Sequence, residues 1–551
     1  MLTKLKASNK FIVSILLFLI FIFIFTRYNG NSHSDNRQIW QFMENQLKFD
    51  IYEQNSLYIS TSIFYSIVNK LGLRLDNDLV GLSVHYLLSL IALFYLYKCL
   101  KKIFPDYSNS YIFIIILILS SLDNLVLEST RSSWIYPHNL NSSHAGMTIF
   151  FVFLWLTLKE DKIKLTFIAP IFLASSIKIA WFPIGCSFVY LYLKKKKISD
   201  ILWIIPCIIL AIYYYLNFSS SSTAVQRLDL FNRILQRENL EVAVHMQDFF
   251  KILLCMCFFA ISFILLKKFK NNSCYNFFLV TIILSLLLFV LGGIYAKYGG
   301  QIYPDPKILI LNAVRSQFLF QLILALLYLN YINLIFKDRI SKYLLILIPF
   351  LLTFHIKGVI LALMIGILSF IIVNMKVKKE NENMYLIIPI LILSLVIGNS
   401  FKNRINKMDF FTFSKINYWS TFSKGQEDLI KKFIYLRSCD DFLMFDDLKM
   451  KTDMNFISVK SKYFKPSAYN VALNHELLKE HYRRKKIIDL IREGEFDDKK
   501  IIENENFVYV SKNDLGIDFP KINSDNFFIY FIFNEKKLDN LKNKCKILFN
   551  L

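Results

Sequence analysis

Long uncharged hydrophobic segments alternate with short polar ones along most of the chain. The first, FIVSILLFLIFIFIF at residues 11–25, is typical of the others. About 20 helical residues cross the roughly 30 Å of hydrocarbon in a bilayer. A transmembrane β-barrel would instead show polar and apolar residues in alternation. The pattern therefore predicts an all-α polytopic membrane protein, whose segments satisfy their own backbone hydrogen bonds.

Counting these segments predicts about 13 transmembrane helices. Two regions are too long for one ordinary span and too short for two full spans. We predict a hairpin of two short helices in each, turning at SSIKIAWFP and at FHIKG. The hairpins cover 165–193 and 342–375, and single spans are predicted near 11–25, 79–100, 109–127, 144–158, 199–217, 249–266, 275–295, 309–335 and 384–400.

The composition agrees with this pattern, since 55% of the 551 residues are apolar and 53 are Phe. The formal charge of +23 raises the question of nucleic acid as a partner. However, lysine clusters lie at the ends of the apolar segments, as the positive-inside rule requires. We interpret the charge as an orientation signal with some attraction for anionic lipid, and expect no nucleic-acid partner. The clusters begin at residues 4, 98, 159, 194, 267, 337 and 376.

This orientation gives a cytoplasmic N-terminus and, after an odd number of spans, an extracytoplasmic C-terminal region. We predict a transmembrane domain at 1–400 and a small extracytoplasmic α/β domain at 401–551. In the latter, DDFLMF, MNFISVKS, NFVYVS and NFFIYFIF are predicted strands, and QEDLIKKFIYLRS is a predicted helix. The large loops share the same outer side, at 28–78, 128–143, 219–248 and 296–308.

The segment SSWIYPHNLNSSHAG, residues 132–146, is unusually polar for its position between two apolar spans. With Arg131, its His138 and His144 offer hydrogen-bond donors at the outer membrane edge, which suits a sugar or a phosphate. A plain connecting loop is the alternative. His85 is different, because a single histidine in an apolar helix is typically a hydrogen-bonded packing residue.

Lys178 in the first hairpin turn and Arg315 in KILILNAVRSQFLFQ also lie toward the outer face. Charges near lipid are costly, so cations there could bind a phosphate or pyrophosphate. The alternative is that their long side chains extend from helix ends to water. The first external loop carries Asp35, Asp50 and Glu53. They could deprotonate an acceptor hydroxyl or bind a divalent cation, or belong to an ordinary solvated loop.

These features together resemble the GT-C superfamily of polytopic membrane glycosyltransferases. The resemblance rests on one helix followed by a long acidic external loop, and on many helices with broken hairpins. SSHAGMTIFFVFLWL, followed by LASSIKIAWFPIGCSFVYLYL, looks like the family's helix pair around a polar outer turn. YPDPKILILNAVRSQFLFQ resembles its proline-containing loop and arginine-bearing helix. The resemblance covers most of residues 1–400, in architecture more than in motifs.

The resemblance implies inverting transfer of a sugar from a polyprenyl-phosphate donor to a cell-envelope acceptor, outside a bacterial inner membrane. Asp35 would be the catalytic base, with Asp50 or Glu53 in reserve. Asn36 stands where many members have a second acidic residue, so dependence on Mg²⁺ or Mn²⁺ is an open question. Arg131, Lys178 and Arg315 would bind the donor phosphate. The alternatives are an O-antigen polymerase or ligase, and a non-catalytic transporter or flippase.

Overall fold

A computed structural model describes the chain mainly at residues 9–27, 78–121, 142–217, 249–304, 318–336, 390–398, 443–446 and 507–544, with gaps within some ranges and isolated positions between them. These residues are mostly helical. The described residues before position 400 include ten α-helices: α1 (Asn9–Arg27), α2 (Asp78–Ile103), α3 (Asn109–Ser121), α4 (Ser142–Lys159), α5 (Lys162–Ser175), α6 (Ile177–Lys195), α7 (Ile205–Asn217), α8 (Phe249–Lys267), α9 (Tyr275–Ile302) and α10 (Phe318–Ile335).

Within the part of the chain that the structure describes, three helical segments are long and apolar enough to cross a membrane, namely Leu79–Ile103, Tyr275–Gly299 and Phe318–Ile335. Six shorter apolar helices accompany them among the described residues. Among the described residues from 11 to 335, helices thus lie where the sequence predicts them, and three of them have the length and apolar composition of a membrane span. The hairpin predicted at 342–375 lies almost entirely outside the described residues, which also hold only part of the span at 384–400.

Contacts between helices define the two ends of this bundle. α2 and α4 run parallel, because Ser89 in the middle of α2 lies beside His144 at the start of α4, and Cys99 near the end of α2 lies beside Phe151 in the middle of α4. The last turn of α2 packs against the chain after α8, where the Phe104 and Phe269 ring centroids are 6.1 Å apart. The end of the bundle that contains Ile103, Lys159, Lys195 and Lys267 is called the basic end below.

The interior of the bundle is filled by aromatic rings and branched apolar side chains. Phe150 of α4 lies at its centre, with ring centroids 4.7 Å from Phe318 of α10 and 6.1 Å from Phe172 of α5. Phe259 of α8 stacks on Phe320 of α10 at 4.3 Å. Because lipid is as apolar as these side chains, such close packing is a main source of helix association in membranes.

The first predicted hairpin is confirmed as two helices, α5 and α6, separated by Ser176. Ser176 has an extended backbone (φ −161°, ψ 93°), which interrupts the helix. At the other end of the hairpin, Glu160 forms an ion pair with Lys194. Both ends of the hairpin therefore lie at the basic end, as the flanking lysines indicated. Glu160 also adopts φ +60°, a left-handed conformation that turns the chain tightly between α4 and α5.

One loop boundary differs from expectation. α9 continues to Ile302, so the first seven residues of the loop predicted at 296–308 are helical. Tyr303 donates its backbone N–H to the Gly299 carbonyl at 2.9 Å, and the Tyr295 hydroxyl donates to the Tyr303 carbonyl at 3.0 Å. These bonds stabilise the final turn of α9, within the segment for which the sequence predicts a loop.

The C-terminal region contains a small four-stranded sheet, β1 (Leu443–Asp446), β2 (Phe507–Ser511), β3 (Lys521–Ser524) and β4 (Phe527–Ile532), followed by α11 (Glu535–Lys544). The strand order is β1-β2-β4-β3, with β1 parallel to β2 and the other pairs antiparallel. Consecutive residues of β2 and β4 are fully buried, so both faces of the sheet are covered. Three predicted strands are confirmed; MNFISVKS and the helix QEDLIKKFIYLRS lie outside the described residues.

Candidate functional site

The beginning of α4 is packed unusually closely against the turn between α5 and α6. A Cβ atom at Gly146 would lie 2.7 Å from the Ser176 Cβ atom, and its next neighbours would be the hydroxyl oxygens of Ser176 and Ser175. Only glycine allows the two backbones to approach to this distance. This contact brings the N-terminal turns of α4 and α6 to the end of the bundle opposite the basic end.

A pair of histidines lies immediately beside this contact. His144 in the first turn of α4 and His85 of α2 are both fully buried, with ring centroids 4.8 Å apart in an edge-to-face arrangement. His85 Nε2 donates to the Ile24 carbonyl at 3.3 Å, and His144 Nε2 is 3.4 Å from the Ser89 hydroxyl. The pair therefore connects three helices, α1, α2 and α4.

Thr148 extends this polar contact one turn deeper into the bundle. Its hydroxyl lies 3.2 Å from the Leu88 carbonyl of α2 and 3.1 Å from the His144 carbonyl, each of which can accept its proton. Burying a polar group without a partner costs several kcal/mol in a hydrocarbon-like medium. The bonds of Thr148 and the histidines offset this cost, and they fix α4 relative to α2. We call His85, Ser89, His144 and Thr148 the polar seam.

The N-terminus of α6 meets the first turns of α4 beside the polar seam, which gives this end of the bundle its electrostatic character. α4 begins at Ser142 and α6 at Ile177, and Gly146 and Ser176 hold them together. The first N–H groups of a helix have no partner within it, and the peptide dipoles add partial positive charge there. Lys178 is the second residue of α6. This arrangement favours an anionic group such as a phosphate.

Of the sequence-predicted site residues, the structure describes His144 and the backbone position of Lys178 in α6, and it brings their two helices together. Asp35, Asp50, Glu53, Arg131, His138 and Arg315 lie outside the described residues. His144 is more deeply buried than a residue of an exposed turn, and its neighbour is His85, which sequence reasoning had treated separately. Two polar pairs at i,i+4 spacing, His85 with Ser89 and His144 with Thr148, mark a polar face on each helix, but the sequence does not show that the two faces meet.

The described residues contain no group of three His, Cys, Asp or Glu side chains that could hold a metal ion. The carboxylates for which a divalent cation was considered, Asp35, Asp50 and Glu53, are outside this part of the chain.

Comparison with known proteins identifies no relative: no protein family matches the chain, and neither a curated protein nor a solved structure matches it. The function must therefore be inferred from the residues and their arrangement.

Proposed function

We propose that the protein is an integral membrane glycosyltransferase that moves a sugar from a polyprenyl-phosphate donor to a cell-envelope acceptor. The observation that carries this proposal is the meeting of the N-terminal turns of α4 and α6, at the end of the bundle away from the lysine clusters. The sequence adds Lys178 as the second residue of α6. A phosphate close to the membrane surface matches this arrangement, because helix N-termini and an ammonium group both stabilise an anion. A lipid-linked sugar phosphate carries its phosphate at that depth.

In this proposal, the chemical step uses residues of the first external loop. Asp35, with Asp50 or Glu53 in reserve, takes the proton of an acceptor hydroxyl as its oxygen attacks the anomeric carbon. The bond from that carbon to the phosphate oxygen breaks, and polyprenyl phosphate leaves with the electron pair. Attack opposite the leaving group inverts the anomeric configuration. Arg131, His138 and Arg315 complete the phosphate and sugar contacts.

The polar seam has a positioning role in this scheme. His144 lies inside the bundle, where its contacts are with α2 rather than with solvent. By fixing the start of α4 against α2, the seam supports the contact of Gly146 with Ser176, which sets the distance between the N-terminal turns of α4 and α6. A site that binds phosphate through backbone N–H groups depends on this distance, because hydrogen bonds weaken beyond about 3.2 Å.

The proposal is tested with the purified full-length protein and a panel of polyprenyl-phosphate sugars. We expect binding and transfer for at least one donor, and Asp35→Asn is expected to abolish transfer while retaining donor binding. Lys178→Gln is expected to weaken donor binding, whereas Lys270→Gln at the basic end leaves it unchanged. Neither binding nor transfer with any donor would contradict the proposal.

Sidedness gives a second test of the same proposal. Reporter fusions at residues 45, 235 and 480 are expected to lie outside the cytoplasm, on the side where the N-termini of α4 and α6 meet. A cytoplasmic reporter at 480 would contradict the predicted topology and with it the proposed glycosyltransferase.

A further inference from the structure

The basic end carries a cluster of lysines and aromatic rings between α2 and α4. Lys98 Nζ lies 4.7 Å from the ring centroid of Trp155 and 4.2 Å from that of Phe94. Lys159 Nζ lies 4.4 Å from the same Trp155 ring. Two ammonium groups thus share one indole ring. We call Phe94, Lys98, Trp155 and Lys159 the lysine–tryptophan cluster.

The positive charge of this cluster is only partly balanced by carboxylates, because the pKa of Asp161 is lowered first by a hydrogen bond from the Lys164 N–H and also by Lys159, which acts from beyond ion-pair distance. Among the described residues, neither Lys98 nor Lys159 has a carboxylate within ion-pair distance. The two acidic residues that follow Lys159 have other partners, since Glu160 pairs with Lys194 and Asp161 with Lys164. Cation–π contact leaves ammonium N–H groups available to an acceptor. Two like charges near one ring repel each other, and an anion between them would relieve that repulsion.

An exposed apolar stripe on α2 leads directly to the cluster. Leu87, Leu90, Ile91 and Phe94 are all exposed, and their spacing of three and four residues places them on one face of the helix. From Leu87 to Lys98 the helix rises by about 16 Å, at about 1.5 Å per residue. This is close to half of the roughly 30 Å hydrocarbon thickness of a bilayer. The stripe therefore has the length of one lipid leaflet.

We propose that this surface binds an anionic phospholipid. Its phosphate lies between the ammonium groups of Lys98 and Lys159, and one acyl chain lies along the stripe from Phe94 to Leu87. The charge selects an anionic headgroup over a zwitterionic one, and the stripe selects a lipid over free phosphate. The inference needs only the membrane-spanning character of α2 and is independent of the proposed activity.

Lipid competition with the purified full-length protein in detergent tests this inference. The protein is equilibrated with equal amounts of phosphatidylglycerol and phosphatidylcholine, and bound lipid is counted by native mass spectrometry. We expect a preference for phosphatidylglycerol that falls about tenfold to 30-fold in the double variant Lys98→Gln/Lys159→Gln. The matched variant Lys267→Gln/Lys268→Gln removes the same charge from the basic end without an aromatic ring, and keeps the preference within about twofold.

An equal loss in both double variants would mean general electrostatic attraction and would overturn the proposed site. Inorganic phosphate is the second arm: displacement of phosphatidylglycerol by inorganic phosphate at comparable concentration would identify a site for free phosphate instead.

A fluorescence measurement on protein with both lysines intact covers the case in which the lysine variants fail to fold. Phosphatidylglycerol with brominated acyl chains is expected to quench tryptophan emission more than brominated phosphatidylcholine does. Trp155→Phe keeps an aromatic ring in the cluster and retains five of the six tryptophans. In this variant, the two brominated lipids are expected to quench tryptophan emission equally. A difference that persists in Trp155→Phe would place the lipid elsewhere and contradict the inference.

Discussion

The helix pair α2 and α4 accommodates polar side chains in opposite ways at its two ends. In the polar seam, His85 and His144 are completely buried and bonded to neighbouring helices. In the lysine–tryptophan cluster, Lys98 and Lys159 lie over aromatic rings at the surface. A neutral imidazole can be buried if it is hydrogen-bonded, whereas an ammonium group remains charged and extends along apolar surface to reach water.

The two regions should therefore respond differently to mutation. The polar seam depends on short distances between buried atoms, so a change in side-chain size should matter most there. The lysine–tryptophan cluster depends on charge at a wet surface, so changes of size should matter little and changes of charge should affect bound anions. The mutations below separate size from charge, in order of decreasing expected effect.

Adding a methyl group at Gly146 should have the largest effect. Gly146→Ala places a Cβ atom against Ser176, and we expect a loss of about 1–3 kcal/mol in the free energy of unfolding. Thermal denaturation of the detergent-solubilised protein measures this loss. Ser176→Gly removes the opposing Cβ atom and should restore part of the stability in the double variant.

Gly185 in α6 is the matched control, because nothing lies within 4 Å of a Cβ atom built there. Gly185→Ala should be neutral or stabilise the protein by up to about 1 kcal/mol, since alanine favours a helix more than glycine does. Equal destabilisation by the two alanine variants would contradict the close packing assigned to Gly146.

The histidine pair should show the next largest effect. His85→Leu and His144→Leu each remove one imidazole and leave its former partners buried, at an expected cost of about 1–3 kcal/mol. Because the rings are in contact, the double variant should cost less than the sum, with a coupling energy of about 0.6 to 1.7 kcal/mol. Denaturation of the four proteins gives this value. Ser262→Ala is the control for loss of a buried polar side chain, since the described bond of the Ser262 hydroxyl is to the Phe259 carbonyl of its own helix. If the two histidine substitutions are strictly additive, the pairing is refuted.

The sequence contained enough information to predict elements but not the partners of the polar seam. Apolar runs and flanking lysines predicted α1 to α10 and the hairpin that turns at Ser176. Alternating aromatic and branched residues predicted β1, β2 and β4, while β3 was missed because KINS is short and polar. The contact of His85 with His144 joins separate helices, so only the packing of α2 against α4 shows it. Gly146 likewise gains its importance from Ser176.

A smaller effect is expected for the ion pair that joins the ends of the first hairpin. Glu160 and Lys194 lie at the partly exposed basic end, where such pairs contribute about 0.2–1 kcal/mol. Glu160→Gln should therefore lower the free energy of unfolding by no more than this, and the difference from the unmodified protein should shrink in high salt. Denaturation at two salt concentrations measures both effects. If Glu160→Gln lowers the free energy of unfolding as much as His144→Leu does, and independently of salt, the basic end is as tightly packed as the polar seam.

The smallest and most local effect is expected at Asp514, an exposed carboxylate outside the helical bundle. Contact with Lys521, then bonds from the Tyr530 hydroxyl and the Gly516 N–H, lower the pKa of Asp514 to about 2. An unfolded aspartate has a pKa near 3.9. The stabilisation is therefore fully present above about pH 4, and it is lost as pH falls through the folded pKa.

Amide hydrogen exchange at Gly516, followed from pH 5 to pH 2, should report this loss directly. After correction for the intrinsic pH dependence of exchange, protection should fall as Asp514 takes up its proton. In Lys521→Gln the fall should begin at higher pH, because the largest cause of the lowered pKa is gone. In Asp514→Asn, protection should not depend on pH in this range. If the Lys521→Gln profile coincides with that of the unmodified protein, the neutral donors Tyr530 and Gly516 alone lower the pKa of Asp514. Neutral hydrogen-bonding groups would then be sufficient here, as they are in the polar seam.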